Sequence, residues 1–292
     1  MSAVLFDVPG PRGIARNRVS GVIGVLAILG LLGFIGYKFY DTGQFDGRVW
    51  SWLQYQQIQE DLLTALVATL QAFAVGAVLA MVFGAIFAAG RLSEHAWLRV
   101  PSMLVVEFFR AIPLLILIFL FYYGLPATGV KMTPFMALVL GLMLYNGSVL
   151  AEVFRAGILS LPRGQSEAAY ALGMRKTQVM TLVLLPQALR AMLPAIISQL
   201  VVLLKDTALG FLITYYELLK YAKNIGGDFQ FGRPYVPVLI VVSAIYITLC
   251  LLLSWLATYL EARNRRSRKV QADGPTEIAP EQPALIPPGS GI

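Results

Sequence analysis

The sequence predicts an all-α integral membrane protein with about six transmembrane helices. Hydrophobic residues make up 58% of the 292-residue chain and charged residues only 13%, against roughly 25% in a soluble domain. Long runs without charge recur along the chain, and about 20 apolar residues are enough to cross a bilayer. The basic residues stand in the gaps between these runs rather than on one face, which is typical of membrane topology and disfavours a nucleic-acid surface.

Five runs without charge are candidate spans. They are residues 20–37, 62–90, 111–130 (entered from near Pro101), 132–151 and 234–260. A further stretch, 191–216, is interrupted by the adjacent charges of Lys205 and Asp206, so we expect a sixth, irregular span there.

The domain boundaries follow from these runs. We expect an N-terminal segment at 1–19, an extra transmembrane helix at 20–40 and a main transmembrane domain at 61–262 that contains a long loop at 157–190. The tail at 263–292 is first basic and then rich in Pro, Glu and Gly, which predicts disorder. The first run can also be interpreted as a cleavable signal peptide, but "GYKFYDTG" lacks a small-x-small cleavage site, which favours a retained helix.

Lys and Arg residues in the loops predict the orientation. If the N-terminus is cytoplasmic, fifteen basic residues lie on the cytoplasmic side and six on the opposite side. The positive-inside rule therefore places both termini, and the loop at 157–190, in the cytoplasm. An inner or plasma membrane location follows.

Catalytic and metal chemistry have little support in the sequence. The one cysteine, Cys250, lies inside an apolar run, and the one histidine, His95, lies in a short polar gap. A disulfide framework and a histidine-based metal cluster are therefore excluded. An intramembrane protease or acyltransferase would need a Ser–Lys or Ser–His pair or two acids at catalytic spacing, and no predicted span carries such a set. We expect no enzymatic activity and no bound cofactor.

The stretch "GQSEAAYALGMRKTQVMTLVLLPQALRAMLP", residues 164–194, predicts two short helices around a hinge. Ser166 is a candidate cap for the first helix, with Glu167 near its positive end. Gly173 suits the left-handed residue that ends a helix. Pro186 is expected to interrupt the second helix and turn the chain back toward the membrane. On these features alone, a surface helix pair on the lipid headgroups and a docking element for a soluble partner are both open.

The residues of this stretch favour the docking element. "EAAYALGMRKTQVMTLVLLP" resembles the cytoplasmic loop of the membrane subunits of bacterial ABC importers, and the matching positions are Glu167, Ala168, Ala169, Gly173, Val183, Leu185 and Pro186. Val183 stands where Ile is commoner. "EFFRAIPLLILIFLFYYGLP", "AEVFRAGILSLPRGQSEAA" and "LLKDTAL" are similar to the polar amino acid permease branch, and the resemblance runs from about residue 62 to 260.

The resemblance implies partners and a mechanism. In this family the loop lies in a groove of a separate cytoplasmic ATPase, and this chain has no G-x-x-x-x-G-K-[ST] stretch, so ATP and Mg²⁺ are expected to be used by the partner. Two ATPase subunits, a second permease subunit (identical or homologous) and an extracytoplasmic solute-binding protein are implied. The family core has five spans, so the helix at 20–40 is an addition. The substrate implied is a polar amino acid, with glutamate favoured.

Ionisable and polar groups within the predicted spans are candidates for the substrate path or gate, because such groups are costly at membrane depth. The candidates are Arg110, Asn146, Lys205, Asp206 and Thr207. Glu107 with Arg110, and Glu152 with Arg155, are three residues apart and can pair on one helical face, so a structural role stays open for each pair. Asp206 and Thr207 are also candidate caps of a short helix after a break. An interhelical hydrogen bond stays open as the role of Asn146, and an ion pair buried between helices stays open for Lys205 and Asp206.

A secondary transporter or channel that works without ATP remains the alternative function. It would account for the spans and for the polar break, but not for the punctuated loop.

Overall fold

The computed structural model describes residues 10–272, and the described residues are almost entirely helical. The α-helices are α1 (Pro11–Asp41), α2 (Gly47–Trp50), α3 (Gln56–Arg91), α4 (Ala96–Ala111), α5 (Leu114–Phe119), α6 (Pro134–Leu159), α7 (Arg163–Ala171), α8 (Lys176–Gln178), α9 (Leu185–Asp206), α10 (Leu218–Gly226) and α11 (Tyr235–Ala272). Most of the predicted C-terminal tail and the first nine residues lie outside the described part of the chain.

Five helical segments are long and apolar enough to cross a membrane. They are Pro11–Asp41, Gln56–Arg91, Pro134–Leu159, Lys176–Ile213 and Tyr235–Leu256. α4 and the segment Leu114–Thr128 together make a sixth span, bent by 97°. The bend falls at Ile112–Pro113, because proline excludes the helical conformation from the residue before it. The predicted all-helical fold with about six spans is therefore confirmed, and its third span is a broken one.

α3 and α6 form the centre of the molecule. α3 carries a small buried residue at every fourth position, and these are Ala72, Gly76, Ala80, Gly84 and Ala88. Residues four apart share one helical face, so the small side chains let α6 approach the α3 backbone closely, as is common between helices in membranes. A Cβ on Gly84 would lie 2.9 Å from the Cβ of Leu150 and 3.0 Å from the carbonyl oxygen of Gly147.

A second hydrophobic cluster covers the end of the molecule opposite residues 157–190, the predicted coupling loop between this chain and an ATPase. The fully buried Trp52 and Tyr221 lie there with their ring centroids 6.5 Å apart, and Phe231 and Val238 complete the contact. Trp52 belongs to the connection between α1 and α3. This connection therefore fastens the added N-terminal span to the outer helix α10.

α1 itself has no buried residue, although it is apolar along most of its length. A helix of this composition is stable in lipid without a protein neighbour, because all its backbone hydrogen bonds are internal.

Candidate functional site

The first helix of the predicted coupling loop, α7, begins earlier than expected. Pro162 precedes it with φ −58°, and the helix starts at Arg163. Ser166 is therefore inside the helix, where its hydroxyl donates to the carbonyl oxygen of Arg163 at 2.8 Å. The predicted capping role of Ser166 is wrong, and Glu167 lies in the second turn rather than at the helix start.

α7 ends as predicted at Gly173, whose φ is +76°. The Gly173 N–H donates to the Tyr170 carbonyl at 2.9 Å, and the Met174 N–H donates to the Ala169 carbonyl at 3.2 Å. This pair of bonds is the Schellman motif, in which a left-handed residue satisfies the last carbonyls of a helix. The turn between the two helices of the loop thus has a fixed shape.

The second helix of the loop does not stop at Pro186. Residues Val179–Leu184 form a π-helical turn, and the chain then enters α9 with Pro186 in its first turn. Proline is tolerated in the first turn of a helix, because its missing N–H has no necessary partner there. The expectation that Pro186 breaks the helix is therefore wrong, and helical structure continues from Lys176 to Ile213.

The matched positions of the loop divide into two groups. In the first group, Ala169 is buried and Val183 and Leu185 are half-buried. These residues hold α7 against the π-helical turn, in which Val179 is also buried. Glu167, Ala168, Gly173 and Pro186 are exposed. The first group builds the loop, and the second is available to a partner.

Two exposed apolar residues extend this available surface and were missed from the sequence. Leu172 is 82% exposed and Tyr170 is 49% exposed, although both belong to a cytoplasmic-type loop. Large exposed apolar side chains beside an exposed carboxylate are typical of a protein interface, in which aromatic and aliphatic anchors fill a partner's pocket. The spacing of residues along the sequence alone does not show which face of α7 is outward.

At mid-membrane depth the structure brings two of the predicted path residues together. Asn146 is fully buried near the midpoint of α6, and its Nδ2 donates to Asp206 Oδ2 at 3.3 Å. Its Oδ1 accepts from Gln199 Nε2 at 2.7 Å. Gln199 was missed because one amide in an apolar helix gives no signal by itself. Within the part of the chain that the structure describes, no basic side chain lies within 4 Å of Asp206.

Lys205 points in a different direction from Asp206. It is exposed and lines a cavity of about 230 Å³ with Ser243 and Tyr246 of α11. An exposed lysine at this depth has to face water or another protein surface, because lipid contact is costly for an ammonium group.

The chain does not unwind at Lys205–Asp206. α9 changes at Thr207 into a 3₁₀ helix, Thr207–Ile213, which Thr214 ends with φ +63°. Thr207 is buried, and its hydroxyl donates to the Leu204 carbonyl at 2.6 Å, so neither Asp206 nor Thr207 caps a new helix. The expected irregularity is confirmed, but it is a change of helix type, because a threonine hydroxyl can bond to the preceding turn without breaking the helix.

Arg110 lies away from this cluster, in a charged network at the ends of α3, α4 and α6. Its Nη1 is 4.0 Å from Glu107 Oε1, while Arg155 pairs with Glu152 at 2.6 Å. Arg91, the last residue of α3, contacts both carboxylates. Glu94, in the turn after α3, pairs with Lys176 of the coupling loop, and the hydrogen bond from Lys176 lowers the pKa of the Glu94 carboxyl.

A buried carboxyl group lies at the opposite end of the molecule. Glu217 is fully buried, and it accepts hydrogen bonds from the backbone N–H groups of Leu219 and Lys220 at the start of α10 and from the Tyr246 hydroxyl. Burial raises the pKa of Glu217 to about 7, although these hydrogen bonds partly oppose the shift.

We expect the stability of the protein to fall as pH rises through the Glu217 pKa. The pKa is 4.5 in an unfolded chain and about 7 in the fold, so only the folded state holds the proton between these values. The protonated Glu217 therefore contributes on the order of 3 kcal/mol to the free energy of unfolding below pH 4.5. This contribution is lost as the pH rises past 7. Thermal unfolding in detergent from pH 5 to 8 measures it.

Glu217→Gln should flatten this pH dependence, whereas Glu60→Gln, at an exposed position, should leave it unchanged. A wild-type melting temperature that is constant or increases over this range would contradict the assignment.

The comparisons with known proteins agree with this geometry. Residues 80–266 match a family described as "Binding-protein-dependent transport system inner membrane component". The glutamate transport system permease protein GluD of Corynebacterium glutamicum is 41% identical over 231 residues, covering 78% of this chain and 84% of that protein. The glutamate/aspartate import permease protein GltK of Escherichia coli is 32% identical over 210 residues, covering 69% and 92%.

Solved structures show the same fold. A crystal structure of an amino acid ABC transporter with histidines has a TM-score of 0.66 and 29% identity, and it covers 73% of this chain and 98% of that one. The MetNI methionine ABC transporter in an inward-facing conformation has a TM-score of 0.59 at 21% identity, which is evidence of a common fold alone.

Proposed function

This chain belongs to the family of inner membrane components of binding-protein-dependent transport systems, and we propose that it is the permease subunit of an ATP-driven importer of polar amino acids, with glutamate as the substrate. Glutamate is favoured because two relatives carry it in their names, as a transport substrate of GluD and, with aspartate, of GltK. Both termini and the coupling loop are cytoplasmic, in agreement with the positive-inside rule.

The observation that carries the proposal is the shape of the coupling loop. A rigid turn at Gly173 presents Glu167, Tyr170 and Leu172 outward together, while Ala169 and Val179 hold the loop from inside. Such a surface fits a groove in a soluble ATPase subunit, in which Glu167 accepts charge-assisted hydrogen bonds. Closure of two ATPase subunits on ATP and Mg²⁺ then moves this loop.

The complete importer contains other chains. Two ATPase subunits bind below the membrane, and a second permease subunit, identical or homologous, completes the path. An extracytoplasmic solute-binding protein delivers the amino acid. The permease itself carries out no chemistry in this scheme: it converts the movement of the loop into access from one side and then the other.

Asn146, Asp206 and Lys205 are the path residues in this scheme. The Asp206 carboxylate has no cation within 4 Å among the described side chains of residues 10–256, 258 and 259, and such a half-buried negative charge is suited to the α-ammonium group of an amino acid. Lys205 lines the cavity against α11, on a different side of α9 from Asp206, and is suited to a carboxylate. A role of Thr207 and Arg110 in the substrate path or gate stays a prediction.

Reconstitution tests the proposal. The permease, its ATPase and its binding protein are placed in liposomes with ATP inside, and uptake of a panel of labelled amino acids is measured. We expect uptake that requires both ATP and the binding protein, with glutamate fastest, and that persists when ionophores collapse the ion gradients.

Asp206→Asn should reduce this uptake by about tenfold, roughly the value of one charged hydrogen bond. Asp41→Asn, at the exposed end of α1, is the matched control. Uptake driven by an ion gradient in the absence of ATP would instead establish the secondary transporter.

A further inference from the structure

Arg91 joins two ion pairs that belong to different helices. Glu107 pairs with Arg110 within α4, and Glu152 pairs with Arg155 within α6. Arg91 ends α3, with Nη2 at 3.4 Å from Glu107 Oε1 and Nη1 at 3.0 Å from Glu152 Oε2. Five charges on three helices thus form one network.

Burial distinguishes Arg91 from the other members of this network. Its side chain is only 9% exposed, whereas those of Arg110 and Arg155 are 38% and 31% exposed. Ion pairs weaken with exposure to water, so the contact of Arg91 with Glu152, which is 26% exposed, is a stronger ionic link between helices than its contact with Glu107, which is 56% exposed. Without Arg91 each carboxylate keeps the arginine on its own helix, and only the connection between helices is lost.

The same part of α3 is tied to the coupling loop. Glu94, three residues after Arg91, pairs with Lys176 of α8. α6 and α9 are joined to the loop by the chain itself, but α3 and α4 are not. Glu94 and Arg91 therefore supply a physical connection by which a movement of the loop reaches α3 and α4.

We propose that Arg91 is a positioning residue for transport, which makes the cytoplasmic end of α4 move as one body with the close-packed helices α3 and α6 and with the coupling loop. This inference rests on the proposed importer function. The ionic contacts of Arg91 within the described side chains are with Glu107 and Glu152, and it acts through them.

The test is the number of amino acids transported per ATP hydrolysed by the complete reconstituted complex. Arg91→Gln keeps a polar side chain and removes the charge, and we expect the transport ratio to fall at least fivefold while ATP hydrolysis stays within twofold of wild type. Arg91→Lys should restore part of the ratio, because one ammonium group reaches one carboxylate at a time. Arg99→Gln, an exposed arginine on α4, is the matched control and should behave as wild type.

The outcomes separate this inference from the function itself. A wild-type complex without ATP-driven uptake defeats the proposed function. A working wild-type complex in which Arg91→Gln keeps the normal ratio overturns the role of Arg91, even if its melting temperature falls. If the Arg91→Gln complex does not assemble, Glu94→Gln, a change at an exposed position, is the second test. We expect it to lower the number of amino acids transported per ATP, and a normal number in that variant also overturns the inference.

Discussion

Replacement of Glu167 by alanine is expected to lower ATP-driven uptake at least tenfold while the permease remains folded in the membrane. Glu167 is exposed, and no basic side chain lies within 4 Å of it among the side chains that the structure describes, 10–256, 258 and 259, so its loss removes no ion pair among them. A hydrogen bond to a charged group contributes about 1.5–3 kcal/mol, which corresponds to roughly tenfold or more in binding to the ATPase. Uptake into liposomes, with the amount of inserted protein measured in parallel, gives the result.

Gln165→Ala is the matched control, since Gln165 is exposed on the same helix and its one side-chain contact is a 3.3 Å hydrogen bond with Gln187. Gly173→Val should resemble Glu167→Ala, because a β-branched residue is strained at φ +76° and the turn loses its shape. Normal uptake in both Glu167→Ala and Gly173→Val would show that the loop does not couple this protein to ATP.

Gly84→Leu is expected to destabilise the protein more than any change at the loop. Even a Cβ at this position would meet Leu150 and the backbone of α6 at 2.9–3.1 Å, and a helix backbone cannot rotate aside as a flexible side chain can. The helices have to separate, at a cost of about 3 kcal/mol or more. A loss of that size lowers the melting temperature by roughly 6–12 °C.

Thermal unfolding of the purified protein in detergent measures this effect. Gly30→Leu in α1 is the control, because no atom lies within 4 Å of the added Cβ there and the new side chain enters lipid. Equal melting temperatures for Gly84→Leu and Gly30→Leu would mean that α3 and α6 are not in close contact.

The spans and the loop were predictable because each is encoded locally. A run of apolar residues identifies a helix in a membrane, and Gly173 alone identifies the end of α7. Local signals also competed with one another. Ser166 suits a helix start, but the chain had already become helical after Pro162, and the π-helical turn before Pro186 lets the helix continue.

Contacts between distant parts of the chain were not predictable from one sequence. The pairs Glu107–Arg110 and Glu152–Arg155 were visible from their spacing, but their connection through Arg91 depends on how three helices pack. The hydrogen bond of Gln199 with Asn146 was not predictable for the same reason, since nothing in the sequence around Gln199 distinguishes it from a surface amide. The bend between α4 and α5 was not predicted, although Pro113 is a local signal for it at the start of the apolar run.

The small residues of α3 also limit which parts of the permease can slide. If α6 moved along α3, the Leu150 side chain would clash with the alanine side chains of α3. The two backbones are too close at Gly84 and Gly147 for the side chain to pass. The contact of α6 with α9 includes Met192, a longer and more flexible side chain that packs against Gly157 of α6. We therefore expect α3 and α6 to move as one rigid body during the transport cycle. The aqueous opening is then expected to form between this rigid body and α9.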